Sequence, residues 1–143
     1  MRFSILLAAV GAAFLFSADP AAAADATGIW ATKDGNSHVK IAPCNDKLCG
    51  EIIWLKEPLT PEGKPKTDQH NSDETLRSRP IIGLQMLSGF VKDGESEWDD
   101  GEIYNPEDGK TYSAKMKLVK PDALEVKGCV LMFCQTQDWT RVE

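Results

Sequence analysis

The side chains best suited to acid–base chemistry crowd into one stretch. Asp68, His70 and Asn71 stand together, with Asp73 and Glu74 just beyond. A histidine held by a carboxylate can move protons near neutral pH when the two lie within hydrogen-bond reach. An enzyme built here would bring Asp68 and His70 together in a pocket. A solvated polar loop accounts for the same residues without catalysis. No nucleophile accompanies them, since Ser72 lacks the strand–turn–helix elbow of a hydrolase. Asp99, Asp100 and Glu102 lack the full spacing of a calcium loop. With His38 and His70 as the only histidines, a histidine metal site is not expected. The sequence therefore calls for no catalytic residue, no metal and no cofactor.

Arg77 and Arg79 flank Ser78 just before Pro80. A pair of guanidinium groups can clamp a carboxylate or a phosphate through bidentate hydrogen bonds. The competing role is a structural bridge to Asp73, Glu74 or other carboxylates of an acidic chain. Trp54, Trp98, Tyr104 and Tyr112 add aromatic surface for a core or for the rim of a ligand entrance.

The four cysteines form two C-x4-C pairs, Cys44/Cys49 and Cys129/Cys134. Four cysteines allow three connectivities. Two local bridges are favoured, each at the base of a short turn where neighbouring strands bring Cβ atoms into range. A four-thiolate zinc site is the alternative. Export favours disulfides, and the N-terminus reads as an export signal. Arg2 precedes an apolar run from Phe3 to Phe16, and Ala22-Ala23-Ala24 offers small residues for cleavage before Asp25. The expected mature chain is 25–143, one domain with one modest core, in the periplasm or secreted. The net charge is −6, and loss of Arg2 and Asp19 with the leader leaves it unchanged. That charge argues against nucleic acid, whose binding relies on Lys and Arg meeting phosphates. No later segment is apolar enough for stable membrane insertion.

The elements that must position these residues are strands. Tyr112, Ala114, Met116 and Leu118 alternate with Ser113, Lys115 and Lys117; Leu124 and Val126 alternate with Glu125 and Lys127. A period of two marks half-buried antiparallel strands. Asp-Gly at 34–35, 93–94, 100–101 and 108–109 gives hairpin signals. Strands are expected near 27–33, 37–42, 49–56, 84–92, 96–104, 111–119, 123–129 and 134–142. Eight sequential strands close most economically as an up-and-down antiparallel barrel, which leaves no edge. A β-sandwich would need Greek-key crossovers. Residues 57–80 break the rhythm as a long loop, expected to lie across one barrel mouth like a lid. Within it, Asn71 as cap and Glu74 three positions on suggest a short helix through Leu76 to about Arg79. In such a barrel Met86, Phe90, Met116 and Leu118 would line the interior.

Gly28-x-Trp30 opens the mature chain and Arg141 nearly closes it. In a closed barrel the first and last strands are neighbours, so Arg141 could cover the Trp30 indole. This resembles the G-x-W strand and closing Arg of lipocalins and their calycin relatives. A fuller likeness runs through Gly28-x-Trp30, Cys44-x4-Cys49-Gly50, Ile53-Trp54-Leu55, Leu76-Arg77-Ser78-Arg79-Pro80, Gly83-Leu84, Gly101-x-Ile103-Tyr104-x-Pro106 and Gly109-Lys110-Thr111-Tyr112. These segments, in this order, resemble an uncharacterised family of exported bacterial proteins (DUF2147). The resemblance implies a lipocalin-like barrel outside the cytoplasm and carries no activity with it. Cys129 and Cys134 lie beyond that pattern. The functional expectation is a binding protein for a small apolar or amphipathic molecule, its polar end read by Arg77 and Arg79. A filled barrel acting as an envelope interaction or structural protein is the rival.

Overall fold

The computed structural model describes residues 25–143, with Ala13 and Leu15. The expected leader otherwise lies outside the described residues. Eight antiparallel strands follow in chain order: β1 (Gly28–Ala31), β2 (Ser37–Cys44), β3 (Lys47–Leu55), β4 (Gln85–Lys92), β5 (Glu97–Asn105), β6 (Lys110–Lys120), β7 (Ala123–Val130) and β8 (Phe133–Arg141). Each pairs with the next, and β1 pairs with β8, so the sheet closes into an up-and-down barrel. The sandwich is excluded by that closure.

Alternation decides which side chains fill the barrel. Val39 and Ile41 of β2, Ile52 of β3, Leu87 and Phe90 of β4, Met116 and Leu118 of β6, Leu124 and Val126 of β7 and Trp139 of β8 are all buried. Trp30 and Trp98 join them in one core cluster. An eight-stranded barrel is just wide enough for such side chains to fill it, and these do.

Of the four Asp-Gly pairs, the one at 100–101 makes no hairpin. It lies inside β5, where the register with β6 shifts between Trp98 and Gly101 and Asp100 has φ 58°. Asp-Gly tolerates that backbone, and here it makes a bulge rather than a reversal. The bulge brings Gly101 against the Phe90 ring, so a Cβ on residue 101 would lie 2.4 Å from a ring carbon. Gly101→Ala should therefore lower stability by about 1–3 kcal/mol through overpacking, read as a fall in the urea midpoint at unchanged m-value.

The long excursion between β3 and β4 departs from expectation twice. Its helix is a single 3-10 turn, Glu74–Leu76, capped by Asp73, which accepts from the Thr75 backbone N–H. Asn71 is not the cap. Asn71 is buried, and its side chain serves the loop's interior, donating to Asp68 at 2.8 Å and accepting from the Asp73 N–H at 2.8 Å. Nor does the loop simply span the mouth. Ile81 and Leu84 enter the core, while Asp68 accepts from the Tyr104 hydroxyl at 2.7 Å. Leu87 and Ile103 pair on the inner face, so Tyr104, one step on, projects outward. The loop is thus fastened to the outer wall of β5. The reason is chemical: a buried carboxylate must find donors, and the outward tyrosine supplies one.

Candidate functional site

The topology sorts the connections between the two barrel ends. The β2–β3, β4–β5 and β6–β7 turns share one end with both termini of the barrel. The β1–β2 turn, the long loop, the β5–β6 turn and the β7–β8 turn share the other. Each end carries a cleft.

At the loop end, a cleft of about 310 Å³ lies between the loop and the outer wall of β4, β5 and β6. Asn71, Ser72 and Arg79 line it from the loop; Met86, Ser88, Glu102, Tyr104 and Thr111 line it from the wall. Its charged side chains are Glu102 and Arg79; the Arg79 Nε donates to Asp68 at 2.8 Å. Asp68 is fully buried and takes three charge-assisted hydrogen bonds, from Tyr104 on one oxygen and from Asn71 and Arg79 on the other. Burial alone would raise its pKa. The hydrogen bonds from Tyr104, Asn71 and Arg79 outweigh that and hold the carboxyl below the usual carboxylate range. Burial and the bond to Asp68 together push the Tyr104 hydroxyl up. The Arg79 guanidinium carbon also lies 5.5 Å from the centre of the Tyr104 ring, within reach of a cation–π contact. This arrangement holds the Arg79 guanidinium between Asp68 and Tyr104 at the edge of a cleft whose wall also carries the Glu102 carboxylate. It can hold an anionic or hydrogen-bonding group.

The sequence-predicted residues separate. Arg79 and Met86 meet in this cleft. Arg77 turns to the loop itself, its Nε donating to the Asn71 carbonyl at 2.8 Å and its Nη1 3.7 Å from Glu74. Phe90 is in the core and lines the second cleft, about 380 Å³, at the opposite end with Leu48, Lys92 and Trp98. Met116 and Leu118 are buried in the core and line neither cleft. Asp68 and His70 do not form a dyad: Asp68 faces inward to its three donors, while His70 is exposed. Asp99 pairs with Lys115 at 3.3 Å, and His38 stacks on Trp54 at 4.3 Å between centroids. Among the described residues no three His, Cys, Asp or Glu side chains group to hold a metal. Both cysteine pairs form the local disulfides, Cys44–Cys49 and Cys129–Cys134.

Sequence reasoning missed Tyr104 and Asp68 as the anchor of Arg79. In the sequence Asp68 stands out as a candidate acid–base partner of His70, and 36 positions separate it from Tyr104. The signal that could have found them is the pairing of a lone aromatic hydroxyl at a strand end with a loop rich in unsatisfied donors and acceptors.

At the opposite end, Arg141 fastens the barrel. Its guanidinium carbon is 4.3 Å from the centre of the Trp30 ring. Its nitrogens donate to the carbonyls of Pro121, Thr27 and Asp25 at 2.7, 2.7 and 2.9 Å. Trp30 Nε1 donates to the Ala26 carbonyl at 2.8 Å. Gly28 must be glycine: its φ is 135°, and a Cβ there would lie 2.5 Å from both Arg141 Nη1 and the Glu143 carbonyl oxygen. The pairing of the G-x-W strand with the closing arginine is thus a packing device.

Comparison with known proteins agrees with this geometry. A solved structure described as "Protein HP1028 from the human pathogen Helicobacter pylori belongs to the lipocalin family" superposes with a TM-score of 0.74 at 26% identity, covering 83% of this chain and 84% of that one. No curated protein matches the sequence. Two disulfides in a bacterial family point to a location outside the cytoplasm, and among the described residues no helix is long and apolar enough to cross a membrane. The model of the family "Uncharacterized protein conserved in bacteria (DUF2147)" matches residues 28–141, nearly the whole barrel, and the chain belongs to that family.

Proposed function

We propose that this is an exported, non-catalytic binding protein of the cell envelope, cleaved before Asp25, whose ligand is a small molecule with a carboxylate or phosphate group. The observation that carries this reading is Arg79, oriented by a buried carboxylate and an outward tyrosine, in a cleft that also holds Met86. Arg79 meets the anionic group, and the Met86 side chain covers a short apolar portion of the ligand. Arg77 contributes by holding the loop closed through the Asn71 carbonyl. The cleft is of a size used for small-molecule ligands. With Phe90, Met116 and Leu118 packed in the core, a long acyl chain has no room inside without repacking, so an amphipathic ligand lies along the wall with its apolar part short. A filled barrel serving as an interaction protein is the second reading, favoured by that same packed interior.

Native mass spectrometry of protein purified from its own envelope tests the first reading. Wild type should retain an acidic small molecule. Ser88→Trp, which fills the cleft from the wall and leaves Asp68–Arg79 intact, should lower affinity for that molecule by about 10–100-fold, as loss of well-placed contacts does. A bare wild-type mass, together with no uptake from a panel of carboxylates and phosphate esters, would favour the filled-barrel reading.

A further inference from the structure

The two disulfide-stapled hairpins sit at opposite ends of the barrel and invite comparison. In the first, Cys44 pairs across the strands with Lys47, leaving Asn45-Asp46 as a two-residue turn, with Asn45 at φ 56°. In the second, Val130 pairs with Phe133, leaving Leu131-Met132 as a two-residue turn, with Leu131 at φ 53°. The backbone demand is the same. Asparagine meets it easily, and a bulky leucine does not. The second turn therefore carries the wrong residue for its own geometry. It also leaves Leu131 93%, Met132 91% and Phe133 78% exposed. The Cys129–Cys134 bridge, at the base of the turn, holds this tip in place. Strain and exposed apolar surface are both costs, and the first hairpin shows that the staple requires neither.

We propose that the Val130–Phe133 tip is a shallow membrane anchor that inserts into the interface of a zwitterionic lipid surface. Three observations select that occupant. The tip is convex and only four residues wide, far short of the roughly 800 Å² per partner of a stable protein interface, whereas a lipid interface accepts apolar side chains without a matching surface. Residues 128–137 are ten consecutive uncharged residues, so the hairpin itself brings no ionised side chain into the headgroups. The chain's net charge of −6 opposes approach to anionic lipid. The anchor is weak and reversible, comparable at best to one acyl chain, with an association constant of about 10⁴ M⁻¹. It does not depend on the ligand reading of the Arg79 cleft, which lies at the same barrel end and would then face the membrane.

Flotation of the folded, disulfide-bonded protein with phosphatidylcholine–phosphatidylethanolamine vesicles at millimolar lipid provides the test. Wild type should float. Leu131→Asn/Met132→Gly, which supplies the preferred turn residues, should float about tenfold less while melting at the same temperature or higher. Adding phosphatidylglycerol should weaken wild-type binding. Met132→Trp should give a blue shift in indole emission when the zwitterionic vesicles are added. Absence of wild type from the lipid fraction would overturn the proposal. So would a double variant that floats as well as wild type, or a wild-type dimer that the double variant dissolves, since a second copy would then cover the tip.

Discussion

Arg141→Ala should destabilise the barrel on the order of 3 kcal/mol, because it removes charge-assisted hydrogen bonds to three carbonyls and the cation over Trp30. The loss is concentrated where the barrel has least to spare. The β1–β8 seam rests on two paired positions, Trp30 with Arg141 and Ala31 with Thr140. The remaining closure comes from backbone bonds of Ile29 with Val142 and Glu143. Arg141→Lys keeps the charge and loses the fork, so it should recover only part of the loss. Thermal unfolding measures both: the alanine variant should melt about 10 °C lower for a domain of this size, with the lysine variant between it and wild type. An alanine variant with unchanged melting temperature would show that the arginine merely covers the indole.

Asp68→Asn should release the long loop while leaving the barrel folded. The substitution keeps the shape and turns one acceptor into a donor that faces Tyr104, or Asn71 and Arg79. Leaving such buried groups mispaired costs about 2–4 kcal/mol, with Arg79, 38% exposed, placing the figure toward the low end. Hydrogen exchange should speed up across residues 66–81 with little change in β6 to β8. The pH dependence has a definite sign. Asp68 sits below its ordinary value of 3.8 in the folded loop. Its contribution is therefore complete above that value and fades as pH falls through the lower, folded-state pKa. Wild-type loop protection should show this acid limb, and Asp68→Asn should lack it. An acid limb of equal size in the variant would assign it to another carboxylate.

The barrel was legible because its signals are local. Alternation in 111–119 and 123–129 placed β6 and β7 within a residue of their ends, and Gly28, Trp30 and Arg141 announced the seam from the ends of the chain. The loop was not legible to the same depth. Its order rests on Asp68, whose partners are 3, 11 and 36 residues away, and no periodicity encodes pairs at such separations. The same holds for Asn71, which has the sequence signature of a cap and is used instead as a buried bracket for Asp68. The Asp100-Gly101 bulge shows a local signal read correctly in chemistry and differently in geometry: Asp100 takes the positive φ, while Gly101 lets the strand pack against the Phe90 ring and continue without turning back.

The seam joins residues up to 116 positions apart, Asp25 to Arg141. A chain delivered N-terminus first cannot knit it until residues 140–143 arrive. For all of that time β1 waits with an unpaired edge, and the sheet is an open ribbon rather than a cylinder. Closure pairs strands at nearly the full length of the barrel chain, and pairings at such sequence separation slow folding. It also places the chain's period of greatest aggregation hazard just before completion.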